Sequence, residues 1–288
     1  AKAGEDVVYS VEVSNCTDQP QVVNLARRVQ GREVMETRIT PDELTLAPGE
    51  SRSVEVRVTV SERVAPGGRE HQVIQAVANG RSAGTIEFIT LSYLEHPYIL
   101  HTKARWDDIR HKAETVEWAS DAAAEYVRKE DAWTVPAISK GRISPNTNCE
   151  YIYELREHQK MFDTAVAYQL TGEQKYAEKV AHYLRQLIDP IHGYPRTQQG
   201  TGGNLVKEGG FFQHIAWGYD LIYNSGALTD EDHTNMAATF RLFQKIIDQH
   251  ISQAVSGNWQ VAEACGALYG ALAIQDMVTA NRFVEGPG

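Results

Sequence analysis

The hydrophobic pattern of this chain changes period once, near His96-Pro97, and that change constrains the fold more than any motif does. Before it, apolar and polar residues alternate, the two-residue period of a half-buried strand. After it, apolar residues recur near every 3.6 positions, the period of a helix face. The chain therefore reads as a β domain over 1–94 and an all-α domain over 95–288. A length of 288 residues agrees, since it exceeds one core of ordinary size.

In the first part VVYSVEVSN alternates, as do the runs 22–29, 53–60, 71–77 and 85–91. Turn signals separate them: Asp18-Gln19-Pro20, Gln30-Gly31, Ala47-Pro48-Gly49-Glu50, Pro66-Gly67-Gly68 and Asn79-Gly80. Asn-Gly between apolar runs predicts a type I′ hairpin, which needs positive φ at both central residues. Short, evenly spaced strands with such turns suggest a β-sandwich.

In the second part the spacing predicts a helix over 106–129, carried by Ile109, Ala113, Val116, Ala123 and Val127. Further helices are expected over 150–170, 174–188, 210–223, from Thr229 to about 253, and over 259–280. Leu170-Thr171-Gly172-Glu173-Gln174 reads as a tight turn between two of them, and Thr229-Asp230-Glu231-Asp232 as a cap with an acidic first turn. Helices in hairpins fit an α/α toroid, a bundle or a solenoid. The lack of a strict short repeat counts against the solenoid; periodicity does not choose between the other two.

Lys and Arg total 28 against 38 Asp and Glu, a formal charge of −10. That balance argues against a general nucleic-acid binder, which neutralises phosphates with cations. It leaves room for a polyanionic substrate, because a cleft can be locally positive on an acidic protein. No apolar run is long enough to span a bilayer. Cys16, Cys149 and Cys265 form no CxxC or Cys/His cluster, and HExxH and HxxEH are absent, so no zinc site and no cofactor are expected. His158, His182 and His192 lack metal-ligand spacing. Cys149 and Cys265 read either as one disulfide or as buried free thiols. No GxSxG elbow appears.

LTLAPGESRSVEVRVTV resembles bacterial immunoglobulin-like modules, including those attached to glycan-degrading enzymes. LEHPYILHTKARWDDIRHKA is similar to the start of the catalytic domain in alginate-lyase-like and heparinase II/III-like polysaccharide lyases. AVAYQLTGEQKYAEKVAHYL, GFFQHIAWGYDLIYNSGALTDED and SGNWQVAEACGALYGALAI resemble helix segments of the same α/α-toroid enzymes. The resemblance implies an immunoglobulin-like β-sandwich followed by a partial toroid. It also implies a lyase, secreted or periplasmic, that cleaves a uronic-acid polysaccharide by β-elimination, with alginate slightly ahead of heparan or chondroitin. In that family the proton-moving tyrosine lies in a later stretch, Asp-Gly-x-x-x-Glu followed by Tyr. This chain has no such stretch, and the expectation is a piece cut short of it. Oligomeric state is not legible.

β-Elimination needs donors that neutralise the sugar carboxylate, a base for the C5 proton and an acid for the leaving oxygen. On the resemblance, Asn258 is the leading neutraliser; its other reading is a helix cap. Gln213 and His214 lie at helical spacing from Trp217, so a polar donor and an indole share a face, as a sugar ring requires; the competing reading is core aromatics with a satisfied histidine. Tyr194, Arg196 and Gln198 sit in a donor-rich, glycine-rich loop over 192–204, with Arg196 suited to a carboxylate. Trp259 is a candidate stacking platform. Asn146 and Asn148 read as capping or cleft residues. Glu150, Glu154, Asp220 and Glu263 are the carboxylates a rival toroid hydrolase would use, Asp220 reading better as a brace; the other alternative is a non-catalytic glycan-binding or scaffold protein with the β domain as spacer.

Overall fold

The structure is a computed structural model that describes residues 1–28, 33–137, 157–191, 193–194, 202–251 and 257–285. Val29, Gln30, Gly31, Asn146, Asn148, Cys149, Glu150, Glu154, His192, Arg196 and Gln198 lie outside the described residues. The chain divides into two compact units, Ala1–Leu94 and Glu95–Gly288.

The first unit holds seven strands in two antiparallel sheets, ordered β1-β5-β3 and β4-β2-β6-β7. They are β1 (Asp6–Ser14), β2 (Gln21–Arg27), β3 (Glu36–Thr40), β4 (Glu43–Leu46), β5 (Ser51–Thr59), β6 (Arg69–Ala78) and β7 (Arg81–Leu91). Alternation decides which way each side chain points. Val54, Val56 and Val58 of β5 are buried while Glu55 between them is exposed. These valines share one core with Val23 and Leu25 of β2, Leu44 and Leu46 of β4 and Ile74 of β6, so the inward faces of both sheets meet. Asn79 and Gly80 take φ 53° and 72° and join β6 to β7 with Ala78 opposite Arg81, the two-residue turn that the sequence predicts.

Eight α-helices follow among the described residues. The expected helix over 106–129 is two, α1 (Lys103–Thr115) and α2 (Glu117–Asp131). Val116 separates them at φ −119° and ψ 116°, ending α1 with its N–H on the Lys112 carbonyl at 2.9 Å. A β-branched residue adopts extended backbone readily. The apolar spacing runs through it unbroken, so periodicity does not register the bend.

Helices α3 (Glu157–Thr171) and α4 (Gln174–Ile188) form the expected hairpin, with Gly172 left-handed and its N–H on Tyr168. Helix α5 (Gly202–Ile222) begins two turns before the expected start at 210. Its glycines disfavour a helix locally, but Gly209 lets it pack backbone to backbone on α7. A short 3₁₀ turn leads to α6 (Asp230–Ile251). There Thr229 Oγ1 accepts from the Asp232 N–H at 3.2 Å while Asp232 accepts from the Thr229 N–H at 2.9 Å, a reciprocal capping box. The expected helix over 259–280 is again two, α7 (Asn258–Ala273) and α8 (Met277–Glu285). Gln275 turns left-handed at φ 56°, the Asp276 N–H reaches back to the Ala271 carbonyl, and Asp276 caps α8 through the Thr279 N–H at 3.1 Å.

Helices α3, α5 and α7 lie side by side and parallel. Going down α3 and α5 together, His158 meets Phe211, Phe162 meets Trp217 and Gln169 reaches the Leu221 carbonyl. Going down α5 and α7, Gly209 lies against Ala262 and Trp217 against Tyr269. The intervening α4 and α6 return the chain and are tied together by Arg185 on Asp232 at 2.8 Å. Their inner faces and that of α5 form the core, where Phe212 stacks on Phe243 with ring centroids 4.0 Å apart. Between α5 and α7 no side chain intervenes at one level. A Cβ on Gly209 would strike the Ala262 carbonyl, and one on Gly266 the Gly209 carbonyl.

Candidate active site

The parallel row gathers four of its polar and aromatic side chains on one partly exposed face. His214 is partly buried, and its Nδ1 lies 2.8 Å from the Gly210 carbonyl one turn earlier. A carbonyl only accepts, so Nδ1 carries the proton and Nε2 of the neutral ring carries the lone pair. Around the imidazole stand His158 of α3 at 5.0 Å between centroids, Phe162 at 5.6 Å and Trp217 at 5.3 Å. His158 itself is 4% exposed.

Gln213 shares its helix face with Gly210 and Trp217 and is partly exposed; its amide has no hydrogen bond among the described residues. A Cβ on Gly210 would meet nothing within 4 Å among the described residues. Trp217 packs edge-on to Tyr269 of α7 at 5.3 Å and tilted to Phe162 at 5.3 Å. Its indole Nε1 is buried with no hydrogen-bond partner among the described residues. Tyr269 is partly buried and brings a phenol to the cluster. Sequence reasoning passed over it; the signal was its place in GALYGAL, the one large polar residue on an otherwise small and apolar helix face.

The other expected residues fall elsewhere. Asn258 is the first residue of α7, with Gly257 at the cap position and no side-chain cap bond, so the capping reading does not hold. It is exposed and lies three turns along α7 from Tyr269, roughly 16 Å at the helical rise. Trp259 beside it is 57% exposed. Tyr194 turns inward: its ring meets Phe212 at 4.9 Å and its hydroxyl donates to Glu208 at 3.1 Å. Loss of hydration pushes the Glu208 carboxyl up to about 7, against the lowering effect of that hydroxyl. Cys16 and Cys265 are free thiols.

Of the carboxylates a hydrolase would use, Asp220 is 1% exposed and fully engaged. It accepts from His96 Nδ1 at 2.6 Å and from the Tyr98 and Ile99 N–H groups at 3.0 Å, bracing the segment before α1 against α5. Glu263 is equally buried, its backbone against Gly209. Among the described residues no three metal-ligating side chains converge, and no helix is long and apolar enough to cross a membrane.

No family model matches the chain, and no curated protein does. Among solved structures, an alginate lyase from Bacteroides ovatus aligns with 66% of this chain at 14% identity and a TM-score of 0.50. The likeness is one of fold, and the aligned part spans 64% of that enzyme's length. SSP-19, an MSP-domain protein like family member in Caenorhabditis elegans, aligns with 32% of this chain and 90% of its own at 16% identity and a TM-score of 0.23. Escherichia coli alpha-2-macroglobulin activated by porcine elastase aligns with 99% of this chain and 29% of its own at 11% identity and a TM-score of 0.29. Neither of these two scores is high enough to speak to fold.

Proposed function

We propose that this protein is a polysaccharide lyase that cleaves a uronic-acid polymer by β-elimination, alginate ahead of heparan or chondroitin. Its architecture on this reading is an immunoglobulin-like sandwich followed by a partial α/α toroid whose inner wall is the row α3, α5 and α7. A polymer of this kind does not cross membranes, so the enzyme acts where it is exported, secreted or periplasmic.

One observation carries the reading: His214 and Tyr269 both pack against Trp217, and Gln213 lies one turn before Trp217 on a partly exposed helix face. The Gln213 amide donates to the substrate carboxylate without adding a titratable charge. That lets negative charge build on the carboxylate as the C5 proton leaves. The His214 Nε2 lone pair takes the proton, the C5–H electrons form the C4–C5 double bond, and the C4–O bond breaks. The Tyr269 phenol protonates the departing oxygen, while Trp217 stacks on the ring. The fold likeness to an alginate lyase supports the lyase reading as a whole. Asp220 and Glu263 are buried and unsuited to the hydrolytic alternative.

The test is to incubate the protein with each uronate polymer and follow the ultraviolet absorbance of the new double bond. A rise with at least one polymer is expected. Reducing ends that appear without that absorbance would establish hydrolysis instead.

A further inference from the structure

The apolar stripe that the sequence lays along α1 and α2 is not used by the core. Among the described residues, α1 buries Trp106 alone and α2 buries Glu130 alone, and Glu130 is an acid held by Lys160 and Thr164 at 3.2 Å. Instead the bend at Val116 sets the two helices around one pocket of about 600 Å³. Ile109 and Ala113 of α1, Ala119 and Ala122 of α2 and Leu170 of α3 line it. Trp118 lines it as well and is 73% exposed. Contiguous apolar surface left in water marks a binding surface, and this volume lies within the range of small-molecule pockets, roughly 300–1,000 Å³.

The charges on the lining say what kind of molecule fits. Among the described residues only two charged side chains line the pocket, Arg105 and Lys112, and both are cations. They stand two turns apart on one face of α1, half-exposed, and share a single carboxylate, Asp108, with Lys112 Nζ at 3.2 Å. Two positive charges against one negative leave one charge for an anion to meet, and a guanidinium fork suits a carboxylate. A sugar does not suit the rest of the lining. Beyond the two cations it offers the Tyr126 hydroxyl, which already donates to Asp163 at 2.8 Å, and the Trp118 indole N–H, too few partners for a ring of hydroxyls. We infer that this pocket binds a carboxylate carrying an apolar tail, the tail along Ile109, Ala113 and Ala122 and the head at Arg105 and Lys112. The pocket shares no lining residue with the His214 face, and the inference stands apart from the lyase reading.

The experiment is calorimetric titration of the full chain with dodecanoate, kept below the concentration at which it forms micelles, and with dodecyltrimethylammonium, which carries the same tail on a cationic head. Dodecanoate is expected to saturate at one molecule per chain and to bind more tightly than the ammonium. The formal charge of −10 favours the cation over the protein surface as a whole, so a preference for the anion reports a local site. Ala122→Trp fills the pocket from an exposed position and should weaken dodecanoate binding by about tenfold or more. Arg105→Gln combined with Lys112→Gln should weaken it by about threefold to fivefold, the scale of an exposed ion pair, and abolish the preference for the anionic head. All three side chains are exposed, and unchanged thermal melting checks that the variants fold. No saturable binding of dodecanoate, binding that survives Ala122→Trp in full, or a native protein that does not prefer the anion would each overturn the inference.

Discussion

His214 Nδ1 donates a hydrogen bond to the Gly210 carbonyl, and that one bond decides which tautomer the neutral ring takes. It fixes the tautomer with the lone pair on Nε2, ready to accept a proton. Tyr269 sits on the other side of Trp217 and has no hydrogen-bond partner among the described residues. Replacing His214 by Gln, or Tyr269 by Phe, removes one proton-transfer group and little volume. Each change should lower lyase turnover by roughly 100-fold to 10,000-fold, the usual range for general acid–base catalysis. The thermal melt should stay near that of the native protein. A fall in turnover matched by a fall in melting temperature would instead assign these residues to packing.

Helix ends are where local sequence speaks most clearly in this molecule. The Thr229 and Asp232 capping box satisfies donors at the start of α6. Thr229→Ala should cost about 1 kcal/mol in urea unfolding. The same signals explain what could be read in advance. The α3–α4 turn at Gly172, the start of α6 and the Asn79-Gly80 hairpin each follow from one or two residues with a strong local preference. The breaks at Val116 and Gln275 do not, because the apolar pattern continues across both. Asp276 with Thr279 three residues on was a legible start for α8, masked by that continuity. The early start of α5 depends on contact with α7, which no local preference reports. At the site, Gln213, His214 and Trp217 were visible as one helix face. Tyr269 joins them only through the packing of α5 on α7.

At the scale of the whole molecule, stability should vary with pH through Glu208. Its carboxyl is raised to about 7 in the folded protein because burial strips its hydration. The folded state thus holds this proton more tightly than the unfolded chain. The contribution is complete below the ordinary glutamate range and is lost as pH climbs from there to about 7. Urea midpoints measured from pH 5 to 8 should fall along that slope, and Glu208→Gln should flatten it. An unaltered slope in the variant would place the dependence on other groups. The glycine contact between α5 and α7 acts at the same scale. Gly209 and Gly266 bring main chain against main chain, so the gap between the row bearing His214 and the row bearing Tyr269 is gauged by peptide atoms. Side-chain rotation cannot widen it. A methyl group at either glycine would strike the opposite backbone and push the two helices apart, carrying His214 away from Tyr269.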